Sequence, residues 1–208
     1  MSHFDSVARS WDENPVNRER AEAVATSVEK LIPLDKKMIA LEYGAGTGIL
    51  GFLLHEKLAG ITLMDSSREM INVMTEKIAK TGAGNLYPVL FDMEHHEYNG
   101  QKFDLIMNQM VLHHVIDIDS ILRKFRECLN PGGYLAIADL YKEDGTFHSI
   151  GFTGHLGFEI DELTQKLKAA GFAGIHHEMC YRMKKKTENG VIKEFPLFMI
   201  TASRAEQM

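Results

Sequence analysis

Cysteine is scarce in this 208-residue chain, with only Cys128 and Cys180. Two thiols build no disulfide framework. Each falls in an apolar-periodic stretch, so both read as buried free thiols of a reducing compartment. Proline is also sparse, at five residues, and no Pro-, Gly- or Ser-rich linker divides the chain. One domain over residues 1–208 is therefore expected. Long apolar runs are missing. The best stretch, Leu105 to Ile116, is interrupted by Asn108, Gln109, His113 and His114, and a membrane span needs about 18 residues. Met1 to Asp5 shows neither a basic nor an apolar region, so no secretory signal is expected and the protein reads as cytoplasmic. Positive charge is not in excess: 23 Lys and Arg face 29 Asp and Glu, a net charge of −6. That argues against a nucleic-acid partner, whose phosphates reward a basic face. What remains is 45% hydrophobic and 25% charged, the balance of a globular domain.

Helix and strand patterns alternate along the chain. Phe4, Val7 and Trp11 share a helical face, and a second helix is predicted from Asn17 to Ile32, stopped by Pro33. Short apolar strands follow at 38–41 and 61–64. Gly48 to Leu58 reads as a helix between them. Ser66 to Glu69 fits a capping box ahead of a helix that ends near Gly82. Further strands are predicted at 86–91, 103–107 and 134–138, with a helix from Asp117 to Leu129 and a turn at Asn130 to Gly133. After a helix over 159–170, two strand-like stretches, 175–183 and 191–203, have no helix between them. Asn189-Gly190 suits the turn of a hairpin joining them. Strand-helix alternation gives an open, doubly wound α/β sheet, in which ligands bind beyond the C-terminal strand ends.

Those ends carry the chemistry. After the first strand comes Glu42-Tyr43-Gly44-Ala45-Gly46-Thr47-Gly48-Ile49-Leu50-Gly51. Glycines allow a sharp turn and close approach of a ligand to the backbone. Two readings compete. Gly46 to Gly51 fits G-x-G-x-x-G, the dinucleotide fingerprint of a nicotinamide-dependent reductase. Glu42 to Gly48 fits E-x-G-x-G-x-G, the loop of S-adenosylmethionine enzymes. Asp65 ends the second strand, where an acid accepts hydrogen bonds from ribose hydroxyls under either reading. Asp92 and Met93 follow the third strand, and Asn108, Gln109, His113 and His114 the fourth.

Taken together, Leu41 to Gly48, Asp65, Leu90 to Met93, Phe103 to Ile106, Val111 to His114 and Leu129 to Leu135 resemble class I S-adenosylmethionine-dependent methyltransferases. The similarity is to the small single-domain form related to ubiquinone and menaquinone biosynthesis, and it covers nearly the whole chain. It implies a Rossmann-like, mostly parallel seven-stranded sheet with a C-terminal antiparallel strand pair. By this resemblance Gly44, Ala45, Gly46 and Gly48 wrap the methionine part of S-adenosylmethionine, and Glu42 lies near its amino group. Asp65, with Ser66, holds the ribose. Asp92 and Met93 hold the adenine, and Asn108 and Gln109 complete the pocket. Asp104 is structural. The product is S-adenosylhomocysteine. A binding subunit that holds the cofactor without catalysis is a further alternative.

The acceptor is expected to be a small molecule. The fourth strand ends in Asn108-Gln109-Met110-Val111, unlike the Asn/Asp-Pro-Pro-aromatic motif of amino-methylating DNA enzymes. His113, His114, His148, His155, Asp139 and Tyr141 are base candidates, with His113 and His155 favoured as the acceptor-facing catalytic pair. No metal site is expected: adjacent histidines on a strand point to opposite faces, and no metal-ligand spacing accompanies them. Lys184 to Lys186 reads as a solvated, edge-protecting run. Residues 1–32 are expected to form a helical lid within the domain, with the opening helix over the pocket.

Overall fold

A computed structural model of the chain describes residues 3–205. Seven strands form one sheet in the order β3-β2-β1-β4-β5-β7-β6. They are β1 (Ile39–Tyr43), β2 (Gly60–Asp65), β3 (Leu86–Leu90), β4 (Phe103–Gln109), β5 (Leu129–Leu140), β6 (Phe172–Lys186) and β7 (Ile192–Arg204). The first five are parallel; β7 runs antiparallel to both β5 and β6. The expected doubly wound sheet with its antiparallel end is the architecture found. Chain order reverses at β1 and β4, which places a crevice beyond their C-terminal ends.

The helices are α1 (His3–Val7), α2 (Pro15–Leu31), α3 (Ile49–Leu54), α4 (Arg68–Thr81), α5 (Ile118–Cys128) and α6 (Ile160–Ala169). Strand β1 is buried from Ala40 to Tyr43, Glu42 included, because helices cover both faces of the sheet. One core cluster joins Phe103, Phe125, Leu135 and Phe198. A second joins Val28, Leu54, Leu63 and Leu105 on the side of α2 and α3. Asp104 ties the sheet at the other end from the crevice, accepting from Ile39 N at 2.9 Å and Asn130 Nδ2 at 2.7 Å.

Four expectations are corrected. Helix α2 begins at Pro15, because Asn14 caps it by accepting from Val16 N and proline fits the first helical position. The cap of α4 is Ser67, whose Oγ accepts from Met70 N at 3.2 Å; Ser66 is exposed. Asn130 to Gly133 is an irregularity inside β5, where the register with β4 shifts between Phe103 and Leu105 and Gly132 has φ 78°. Cys180 is half-buried, its Sγ 3.6 Å from Leu197 O, while Cys128 is buried as expected. Residues 1 and 2 of the expected lid lie outside the described residues.

Candidate functional site

Strand β1 leads into a loop in which Gly44, Gly46 and Gly48 have φ of 65°, 57° and 79°. Side chains resist this left-handed region. A Cβ on Gly44 would sit 2.5 Å from Val111 Cγ2, so the loop and the end of β4 close on each other only across a glycine. A Cβ on Gly46 would meet only Trp11 Nε1, at 3.9 Å. Gly46 thus faces open volume. The loop is sewn to β2: Ala45 N donates to Met64 O at 2.9 Å and Gly46 N to Asp65 Oδ2 at 2.7 Å.

Two carboxylates stand under this loop. Glu42 is fully buried and its Oε2 accepts from Gly51 N at 2.8 Å. Its Oε1 has no partner among the described residues. Burial pushes this carboxyl up to about 8, against the pull of the Gly51 amide. Gly51 is needed here: a Cβ would lie 2.4 Å from Leu63 Cδ2 and 2.8 Å from Glu42 Oε2. Asp65 accepts from Ser67 N at 2.8 Å as well as from Gly46 N. Burial raises it above the ordinary carboxylate range, and those amides pull it back. Each of its oxygens keeps a lone pair for a ligand hydroxyl.

The loop and Asp65 border a cavity of about 770 Å³. Gly44, Ala45, Gly46, Asp65 and Ser66 line it together with Arg20, Gln109, Met110, His113, His114 and His148. Phe4, Val7 and Trp11 line it too, so the opening stripe docks on the crevice. Polar latches hold this N-terminal segment: Lys77 Nζ donates to Asp12 Oδ2 at 2.6 Å, Ser67 Oγ to Asp5 Oδ1 at 2.7 Å, and Arg9 pairs with Glu76 at 3.3 Å. A second hollow of about 60 Å³ lies between Tyr43, Asp65, Asp92, Met93 and Glu94.

Of the lining histidines, His113 is buried and its Nδ1 lies 2.6 Å from Asp139 Oδ1. Asp139 is fully buried, and its Oδ2 accepts from His113 N at 3.2 Å. His148 enters from the loop after β5, stacked on Phe152 at 3.7 Å between ring centroids. Burial, then the neighbouring His113 and His114, push His148 down to about 3. Arg20 is buried, which lowers its guanidinium to about 10, and its Nε has no partner among the described residues.

A family model described as a methyltransferase domain matches residues 34–171, well over half of the chain. The chain belongs to the methyltransferase-domain family. This membership decides between the two readings of the glycine loop. The domain is similar to an uncharacterised methyltransferase of Schizosaccharomyces pombe, 26% identical over 65% of this chain and 54% of that protein. It is also similar to a ubiquinone biosynthesis O-methyltransferase of Bartonella bacilliformis, 27% identical over 67% of this chain and 62% of that one. It therefore spans less than two thirds of these curated relatives. Among solved structures, phosphoethanolamine N-methyltransferase 2 of Haemonchus contortus, determined in complex with S-adenosyl-L-methionine, shares the fold with TM-score 0.72. The two chains are 15% identical, over 99% of this chain and 61% of that one.

Not every expected residue of the methyltransferase domain reaches the cavity. His155 does not line it: its Nε2 lies 3.0 Å from Val115 O and its backbone N donates to His113 O at 2.7 Å. Its place is to tie the loop after β5 to the turn that carries His113. Neither Glu42, beneath the loop, nor Gly48, whose open side faces Leu63 and Met74, lines the cavity. Asn108 is buried with neither side-chain polar atom partnered among the described residues, whereas Gln109 lines the cavity. Asp92 caps its own turn, accepting from Glu94 N at 3.0 Å and lying 2.8 Å from His95 Nδ1. Met93 is fully buried. Lys184, Lys185 and Lys186 are exposed yet line the cavity rim, with Lys185 Nζ 4.3 Å from the centre of the Phe147 ring. Sequence reasoning missed Arg20, on the inner face of α2, and Met110, whose φ of 55° is the described chain's one positive value outside glycine. The Asn14-Pro15 helix start was the available signal for the register of α2.

Proposed function

We propose that this domain transfers a methyl group from S-adenosylmethionine to a small-molecule acceptor. The observation that carries the reading is the cavity of about 770 Å³, lined both by a glycine loop with a ribose-competent carboxylate and by buried polar side chains. Pockets for small ligands run from roughly 300 to 1,000 Å³, so the cofactor and a small acceptor fit together. Gly44, Ala45 and Gly46 would wrap the methionine part, with Gly48 shaping the loop and Glu42 behind the amino group. Asp65 and Ser66 take the ribose and Met93 with Asp92 the adenine, while Asn108 and Gln109 close the pocket.

The reaction is an in-line displacement. The bond from sulfur to methyl breaks as the bond from methyl to acceptor forms, and the electron pair stays on sulfur to give S-adenosylhomocysteine. The donor is already activated, so the protein supplies alignment and a dry cavity. Residues 3–13 serve as the lid. His113, oriented by Asp139, is the acceptor-facing group. Arg20 and the Lys184–Lys186 rim favour an acceptor carrying negative charge. Free Cys128 suits a reducing, cytoplasmic setting.

Thermal-shift titration with S-adenosylhomocysteine and with NADH tests the cofactor; stabilisation by the nicotinamide alone would sink the reading. Labelled-methyl turnover across pools of anionic metabolites then separates an enzyme from a binding subunit.

A further inference from the structure

Three histidines meet in the wall of the cavity. His113, His114 and His148 each offer a ring nitrogen, and these atoms lie within 4.8 Å of one another. The expectation that the adjacent pair would diverge assumed a strand. In fact Leu112 to His114 form a 3-10 turn after β4, and the two rings sit side by side, 4.2 Å between centroids. His148 closes the group from the opposite loop, 4.9 Å from the His113 ring and 5.6 Å from the His114 ring.

We propose that His113, His114 and His148 form a binding site for a zinc-type divalent transition metal, with one coordination position left facing the cavity.

The surroundings are those such a site needs. Asp139 engages His113 Nδ1, which leaves Nε2 to bind and orients the ring, as carboxylates do behind metal-bound histidines. The same buried carboxylate supplies countercharge. His148 Nδ1 is buried with no hydrogen-bond partner among the described residues; a ligand bond would satisfy it. Three imidazoles select the late first-row ions, zinc above all, over magnesium or calcium, which prefer oxygen. Three protein ligands also leave the fourth tetrahedral position open. Zinc-bound nitrogens stand about 3.3 Å apart, given bonds of about 2.0–2.1 Å, so the rings must draw in by about 1.5 Å. His148 lies outside helix and strand, and rotation of its side chain provides most of that movement. Resting on the methyltransferase reading, the open position takes an oxygen or sulfur of the acceptor and holds it toward the methyl donor.

The test is binding of the metal alone. Chelator-stripped protein is titrated with Zn²⁺ against a chromophoric chelator, and with Co²⁺ followed by its visible absorption. One ion per chain is expected, with the intense bands of four-coordinate cobalt. His148→Ala changes a half-buried loop residue and should cost at least 100-fold in affinity with the melting curve preserved. Asp139→Asn should cost 10–100-fold. The exposed His176→Ala and His177→Ala on β6 should change nothing. A stoichiometry below 0.2, or undiminished binding by His148→Ala, would overturn the site. The outcomes also separate the two proposals. Metal binding without S-adenosylhomocysteine binding removes the methyltransferase reading and keeps the site; the reverse removes the site alone.

Discussion

Asp65 shows how one side chain can both shape a loop and await a ligand. Its two oxygens hold the amides of Gly46 and Ser67 while it lines the cavity. Asp65→Ala is expected to weaken S-adenosylhomocysteine by about 1.5–3 kcal/mol, the scale of hydrogen bonds to a charged group. Calorimetry on the folded mutant checks this, and an unchanged affinity removes the ribose assignment. Gly46 makes the complementary case. Its missing side chain opens onto volume rather than onto core, so Gly46→Val should leave a folded protein that binds no cofactor. A branched residue there also resists the positive φ. Retention of near-normal binding would place the ligand elsewhere. Both residues were legible in the sequence, because a glycine cluster and an acid at strand ends have few other uses. Met110 was not. Nothing in its identity announces a left-handed backbone, which comes from the turn that β4 must make against Ala138, whose carbonyl accepts from Met110 N at 2.8 Å.

The N-terminal segment is the element whose role depends most on tertiary context. Helix α1 is five residues long, and a helix that short is marginal in water alone. Phe4 packs edge-on against Trp11 at 6.3 Å and His114 at 5.2 Å, joining the segment to the cavity wall. Emission from Trp11, the chain's sole tryptophan, is expected to shift when S-adenosylhomocysteine fills the space beside Gly46. Deleting residues 1–13 spares the Asn14 cap of α2 and should cut turnover far more than melting temperature. Unchanged emission at saturating ligand, with full activity in the shortened chain, would refute the lid. The elements themselves were mostly legible from periodicity, since α4 and α5 each bury one apolar stripe. The misreadings have local causes. Adjacent serines left the α4 cap ambiguous. Edge strand β6 extends to Lys186 with much of both faces exposed, so no alternation marked its end. The lysine run there proved to border the cavity because the hairpin reaches past the sheet.

At the scale of the whole molecule, the topological rule carried the site: reversal of strand order at β1 and β4 put every cavity-forming loop on one side. What the sequence hid is which histidines converge, since that depends on a 3-10 turn and a loop crossing over it. The buried ionisable groups also set how stability responds to pH. Glu42 keeps its proton up to about pH 8 when folded and releases it near 4.5 when unfolded. The folded state therefore holds the extra proton between those values, and stability falls as pH rises through them. His148 acts oppositely. Its folded value of about 3 lies below the unfolded 6.5, so its contribution grows from pH 3 to 6.5 and is then constant. Between 6.5 and 8 the Glu42 contribution is no longer opposed by that of His148. Across that interval the melting temperature should fall on the order of 5 °C, and Glu42→Gln should flatten that fall. Parallel slopes in the two proteins, measured by calorimetry, would assign the titration to other groups.

The latches between the N-terminal segment and α4 bear on speed as well as enclosure. Asp12 meets Lys77 and Arg9 meets Glu76 where solvent reaches them, and at about 0.1 M salt the Debye length has shrunk to roughly 10 Å. Under the proposed lid, spent cofactor departs only when these pairs part. Added salt should then hasten departure, so turnover at saturating substrates climbs with ionic strength while cofactor affinity declines. Steady-state rates across a sodium chloride series decide it: a flat or falling maximal rate would mean that the ion pairs do not govern the exit.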